Sequence, residues 1–361
     1  MATNTTFADS QVSHLLRCRY PILLAGMGGV ARNELVAAVT NAGGFGFLGM
    51  VRESPALISK EIALVREKTD RPFGVNLIPA ATDQDLLEAE VSACLKEKVF
   101  SIGLFWDLSE SLVKRLTDYG ILVVCQVGTV PEAVAAQKAG ASIIIAQGVE
   151  AGGHVRGRTN TRELILEMNS NVDVPIVAAG GIANGQDIVD AFALGAQGVM
   201  MGTAFIATEE SFAHEYHKKR LIGASANDTI LTTDFHINWP RNANVRVLKN
   251  GVTRGDYGRP DAMPKKAIGE EEGRPIYLFS TDSPLRSMTG DFEAMALYAG
   301  ESVERVTNIV SAAERLNTLV REVLAITGEG ATKHSSTVED VIEVASSPCF
   351  ATDADKTYMG F

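Results

Sequence analysis

Short apolar runs alternate with longer amphipathic stretches through the first 200 positions of the chain. The runs occupy 22–25, 45–48, 73–76, 100–104, 121–126, 142–147, 175–179 and 198–201. Between them, 33–41, 54–68, 83–98, 109–119, 131–139, 161–168 and 186–194 carry helical spacing. This rhythm predicts parallel strands covered by helices. Ser54-Pro55 supplies an N-cap with proline at the first helical position, Asn184 is a cap candidate, and Gly120, Gly140 and Gly195 follow their helices closely. Eight strands with intervening helices predict an α/β fold, a (β/α)8 barrel over 1–203. An open doubly wound sheet is the alternative. The shortness of the runs, and their endings in Asn, Gln or Gly where a catalytic mouth would lie, favour the barrel.

Beyond Met201 the alternation stops. Residues 204–285, rich in Gly, Asn and Arg around Trp239-Pro240, read as an insertion or lid after the eighth strand, with β-like runs at 229–235 and 245–248. Residues 286–330 read as C-terminal helices that close the barrel, strongly helical over 292–327, and 331–361 as a loosely tied tail.

Composition narrows the classes of function. The 361 residues carry 33 Lys+Arg against 44 Asp+Glu, a formal charge of −11. With no basic cluster, neither nucleic acid nor an anionic membrane surface is an expected partner. No apolar run reaches the roughly 18 residues needed to span a bilayer. The first residues lack the pattern of a secretory signal, so a reducing cytoplasm is the expected setting. Cys18, Cys94, Cys125 and Cys349 are scattered, which argues against a disulfide framework and against structural zinc. Cys125, inside the fifth strand, reads as a buried small hydrophobe. His214 and His217 share a helical face without a third ligand, so they read as part of a solvated helix and no metal site is expected.

Three glycine-rich segments follow strands on the side where a barrel builds its site. Gly180-Gly181 follows the seventh strand, and Met200-Met201-Gly202-Thr203 ends the eighth. Loops after these two strands commonly hold a phosphate on backbone N–H groups, which glycine leaves open to close approach. The third segment runs from Gln147 to His154. Gln147 can both donate to and accept from a planar ring, Gly152 and Gly153 let the chain pass close beneath one, and His154 stands in a loop where an imidazole can move a proton. Trp239 and His236 are candidates to wall the pocket. Gly44-Phe45-Gly46-Phe47-Leu48-Gly49 satisfies G-x-G-x-x-G, but its glycines surround a strand instead of ending one and opening a helix, so it is not a dinucleotide fingerprint.

Ala25-Gly26-Met27-Gly28-Gly29, Gly74-Val75-Asn76, Gln126-Val127-Gly128, the Gln147–His154 segment, Ala179-Gly180-Gly181-Ile182 and Gly202-Thr203-Ala204-Phe205 together resemble the nitronate monooxygenase family, formerly the 2-nitropropane dioxygenases. The resemblance covers about 20–310 and includes Tyr298-Ala299-Gly300-Glu301-Ser302-Val303. It implies a TIM barrel flavoprotein with FMN as cofactor, an oxidoreductase that takes a nitronate or nitroalkane and oxygen. By position, Asn76, Gln147, Gly152, Gly181, Met200, Met201, Gly202 and Thr203 match the family's FMN contacts, Met27 and Gly28 would lie against the ring system, and Gln126, Gly153 and Gly180 belong to the same segments. His154 matches the family's active-site histidine. Gly26 and Met200 stand where many members have proline and glutamine. Enoyl-acyl carrier protein reductases with FMN and NAD(P)H:quinone reductases resemble the sequence across the same motifs. A flavin-binding protein without turnover is the third reading, and the choice between monomer and homodimer stays open.

Overall fold

The computed structural model describes residues 7–259 and 265–329. A short helix, α1 (Gln11–Leu16), precedes eight strands that close into a parallel barrel: β1 (Ile22–Leu24), β2 (Phe45–Gly49), β3 (Gly74–Leu77), β4 (Ser101–Phe105), β5 (Leu122–Val127), β6 (Ile143–Gln147), β8 (Ile176–Ala179) and β9 (Gly198–Met201). The ring closes where Leu23 of β1 pairs with Met200 of β9. Each of the eight apolar runs is one of these strands, and the open-sheet alternative is excluded. The strand missing from this series, β7 (Gly153–Val155), lies outside the barrel.

Helices α2 (Asn33–Asn41), α3 (Pro55–Arg66), α4 (Gln84–Lys96), α5 (Glu110–Asp118), α6 (Val130–Ala139), α7 (Thr161–Asn169) and α8 (Gly185–Ala193) cover the barrel. Their ends follow the cap chemistry. The Ser54 hydroxyl accepts from Leu57 N, and Asn184 and Asp187 form a reciprocal capping box. Inside the barrel, Leu23, Phe45, Phe47, Val124, Ile145 and Val177 pack with Val12 and Leu16 of α1, which plugs the amino-terminal end. The opposite end is left for chemistry.

After β9 come α9 (Thr203–Ile206), α10 (Glu215–Leu221), β10 (Thr229–Thr232), β11 (Asn244–Leu248), β12 (Ala267–Glu271), β13 (Arg274–Tyr277), β14 (Met288–Gly290) and α11 (Ala312–Thr327). β10, β11 and β7 form one antiparallel sheet, and β13, β12 and β14 form another. The second of these sheets is not legible in the sequence, because its strands are short and largely polar and β13 contains Pro275. Helix α11 packs between α8 and α2, the place of the eighth barrel helix.

Three expectations are corrected here. Residues 292–327 are helical mainly over Ala312–Thr327, because Met295, Ala296, Leu297 and Ala299 are buried in an extended segment that pairs with β11. His217 is not on a solvated face: it is fully buried, and its Nε2 bonds the Tyr298 carbonyl oxygen at 3.0 Å. His214 is the N-cap of α10, its Nδ1 accepting from Tyr216 N. The 331–361 tail and Cys349 lie outside the described residues. Cys18, Cys94 and Cys125 are free thiols, and burial pushes each up to about 12. Among the described residues, no helix is long and apolar enough to cross a membrane.

Candidate active site

His154 and all the candidate cofactor residues line one cavity of about 980 Å³ over the carboxyl ends of the barrel strands. Asn76 comes from β3, Gln126 from β5, Gln147 from the end of β6, and Met200 and Met201 from β9. Met27 and Gly28 follow β1, Gly180 and Gly181 follow β8, and Gly202 and Thr203 follow β9. Asn76 Nδ2 donates to the Gly26 carbonyl oxygen at 3.3 Å, and a side chain at position 26 would overlap the Asn76 Cβ. Glycine at position 26 therefore goes with the seating of Asn76.

His154 does not sit in a loop, as the sequence suggests, but on β7, directly opposite Val245 of β11. Pairing with β11 thus turns the segment after β6 into a strand that no local pattern announces. Gln147 fixes this strand to the barrel. Its Nε2 donates to the His154 carbonyl oxygen at 2.8 Å, and its Oε1 accepts from Arg156 N at 3.2 Å. Arg246 of β11, itself buried, donates to the Val149 carbonyl oxygen at 3.0 Å and pairs with Glu301 at 2.9 Å, so the β6–β7 turn is held from the lid side as well. A Cβ at Gly152 would lie 2.5 Å from the Gly300 nitrogen and 2.6 Å from the Ala299 carbonyl carbon. That glycine lets the buried 295–300 segment run beneath the histidine.

The His154 ring stacks on Trp239 with centroids 3.4 Å apart and planes 17° from parallel, and Tyr298 and Trp106 stand around the pair at 5.8 and 6.3 Å. His154 Nε2 and Trp239 Nε1 are both buried with no hydrogen-bond partner. Burial, helped by the positive charge of Arg52, pulls His154 down to about 3, so the imidazole is neutral at physiological pH. Burial likewise lowers His217 to about 4 and pushes the Tyr298 phenol well above its usual range.

These two imidazoles set an acid limit on stability. In the unfolded chain they take up protons near 6.5, whereas the folded protein resists protonation until pH nears 4 and 3. Their contribution is complete above pH 6.5 and lost as pH falls through that window, on the order of 3 kcal/mol for His217. Melting temperature should fall more steeply between pH 6.5 and 4 in the native protein than in His217→Gln; parallel curves would refute this account.

The opposite wall is built of backbone. Gly180 and Gly181 hold φ of +107° and +73°, a conformation glycine adopts without strain. A Cβ at Gly181 would meet only Glu150 Cβ at 3.5 Å, and one at Gly202 the Met27 sulfur at 3.4 Å, so side chains here would project into the cavity. Among the described residues, the backbone N–H groups of Gly181, Ile182, Gly202 and Thr203 donate to no protein acceptor. Two glycine turns with free donors, lining the same cavity as enclosed ring nitrogens that lack partners, fit an anionic planar cofactor such as a flavin nucleotide.

Trp239 was legible in the sequence as a pocket wall, whereas Arg52 and Trp106 were not. Both follow the ends of barrel strands, β2 and β4, and that position was the available signal. Tyr298 offered only its place in the family-like segment. His236 is absent from the cavity wall.

Fold and site define the class: a parallel-barrel oxidoreductase with a place for a flavin. A model of the nitronate monooxygenase family matches residues 9–322, and the chain belongs to that family. A probable nitronate monooxygenase of Staphylococcus aureus (strain MRSA252) is 30% identical over 345 residues, covering 82% of this chain and 93% of the relative. Among solved structures, FabK from Thermotoga maritima has a TM-score of 0.76 at 28% identity, covering 90% of this chain and 98% of that one. The nitroalkane oxidase from Streptomyces ansochromogenes has a TM-score of 0.71 at 29% identity, with 88% and 99% covered.

Proposed function

We propose that this protein binds FMN and oxidises alkyl nitronates, such as propionate 3-nitronate, with molecular oxygen to a carbonyl compound and nitrite. The observation that carries the reading is the neutral, unpartnered imidazole of His154 at the heart of the cavity. A base held near 3 is poorly matched to removing a carbon-bound proton at neutral pH. A neutral imidazole N–H is well suited to donating to an anion already formed. Family membership and the likeness to a nitroalkane oxidase support the same chemistry.

In this reading the N–H groups of Gly181, Gly202 and Thr203 hold the cofactor phosphate, and Met27, Gly28, Asn76, Gln126, Met200 and Met201 border its rings. Gly152, Gly153 and Gly180 keep the approach open. The flavin, when bound, supplies the electron-accepting chemistry. Gln147 and β11 hold His154 over the reacting centre, Trp239 excludes water from it, and His154 donates to a nitronate oxygen. The setting is the cytoplasm.

The test is a visible spectrum of the purified protein followed by anaerobic titration. Loss of flavin absorbance on adding propionate 3-nitronate, with none on adding NADH, is the expected result. The likeness to FabK makes the reverse pattern the outcome that would assign a nicotinamide-dependent reductase instead. A colourless protein that takes up no FMN would remove both.

A further inference from the structure

Three guanidinium groups border the cavity. Arg32 is paired with Glu53 at 2.9 Å, and Arg274 with Glu271 at 2.7 Å and Asp282 at 3.3 Å. Arg52 has no carboxylate within ion-pair distance among the described residues, and its hydrogen bond goes to the Asn238 carbonyl oxygen, 2.6 Å from Nη1. Glu90 feels the Arg52 charge without pairing with its guanidinium, so N–H groups of the fork stay available to an anion in the cavity. Its backbone points the same way. Arg52 holds φ of +59°, and Asn238 φ of +72°, both in the left-handed region that non-glycine residues seldom adopt and that tends to persist at functional sites. The charge is also felt at the chemistry, since Arg52 acts on both His154 and Tyr298. Asn238 is the neighbour of Trp239, whose ring covers His154.

We propose that Arg52 selects for an anionic substrate at this site, and that its bond to the Asn238 carbonyl ties that selection to the placement of Trp239 over His154. The substrate class is a small planar anion with two oxygens on one atom, of which a nitronate and a carboxylate are both examples. One N–H fork from Arg52 neutralises the charge, while the partnerless nitrogens of His154 and Trp239 offer further hydrogen-bonding groups. This rests on the nitronate reading for the reaction but not for the binding.

The experiment uses the flavin-loaded full chain and compares native protein with Arg52→Met and Arg52→Lys. With a nitronate, Arg52→Met is expected to raise KM about 10- to 100-fold, the loss of a charge-assisted hydrogen bond, and to change kcat less. The affinity for the neutral nitroalkane, read without turnover by tryptophan fluorescence, should be unchanged. Arg52→Lys, which keeps the charge, should stay within about tenfold of the native protein for the anion. Binding without turnover is read by titrating butyrate against tryptophan fluorescence, and Arg52→Met should weaken it by the same factor. Equal effects on anion and neutral substrate, no effect on either, or a lysine variant as weak as the methionine one would overturn the proposal. Arg52-dependent butyrate binding without nitronate oxidation would overturn the reaction and leave the anion site standing. Nitronate oxidation with Arg52-independent KM would do the reverse.

Discussion

Replacing His154 by alanine is expected to lower kcat/KM for an alkyl nitronate by about 10²- to 10⁴-fold while the protein keeps its flavin. The retained flavin follows from how the residue is held. Gln147 bonds backbone on both sides, donating to the His154 carbonyl and accepting from Arg156 N, and the pairing of β7 with β11 is also backbone, so truncating the side chain leaves the strand in place. The lost rate follows from the ring's position among Trp239, Trp106 and Tyr298, where it is neutral with its Nε2 free of protein partners. His154→Gln separates two roles. A glutamine can donate a hydrogen bond but cannot take up a proton in this range, so recovery of part of the rate identifies a donor. A glutamine variant as slow as alanine would point to proton transfer, and unchanged kinetics in the alanine variant would remove His154 from the reaction.

The second large effect is expected at a residue without chemistry. A Cβ on Gly49 would overlap the carbonyl group of Met27, at the end of β2 where the loop after β1 passes. Because the obstacle is backbone, Gly49→Ala must push the Met27–Gly28 turn into the cavity or bend β2. A cost of about 1–3 kcal/mol in stability is expected, together with a marked fall in flavin content. Gly28→Ala is the control for stability, since its nearest neighbours are Val51 carbons at 3.8 Å. Thermal melts and the flavin-to-protein absorbance ratio of the two variants decide the matter. Equal melting temperatures for Gly49→Ala and the native protein would show that the turn yields freely.

That result bears on what could be read before the fold was known. Gly44, Gly46 and Gly49 spell a dinucleotide fingerprint, yet each is glycine because another part of the barrel occupies the space of its side chain: Leu316 and the Ile22 carbonyl at Gly44, Val36 at Gly46, Met27 at Gly49. The eight barrel strands were legible because burial on both faces writes them as continuous apolar runs. The site was legible where it is made of backbone, in the glycine turns after strands one, six, seven and eight. What escaped was made by distant partners. β7 exists because β11 arrives to pair with it, and 295–300 is extended because β11 and the barrel bury it from two sides, against its helical composition. Arg52 looked like any loop arginine. What marks it out is its place on the cavity wall with no carboxylate in ion-pair distance among the described residues, a property of the assembled fold.

The position of α11 carries a consequence for how the molecule is made. Leu316, Leu319, Val320 and Val323 cover the seam between α8 and α2, and Glu322 accepts from the Gly185 nitrogen at the start of α8. A nascent chain that has just completed β9 therefore has all eight staves of its barrel but leaves that seam bare. It must be held through synthesis of more than a hundred further residues before the last helix reaches it. Closing that seam brings 312–327 against 33–41, a long-range contact of the kind that slows folding. The residues between β9 and α11, threaded between the final stave and its own helix, are anchored at both ends by that closure, so their loops can diversify without releasing the barrel.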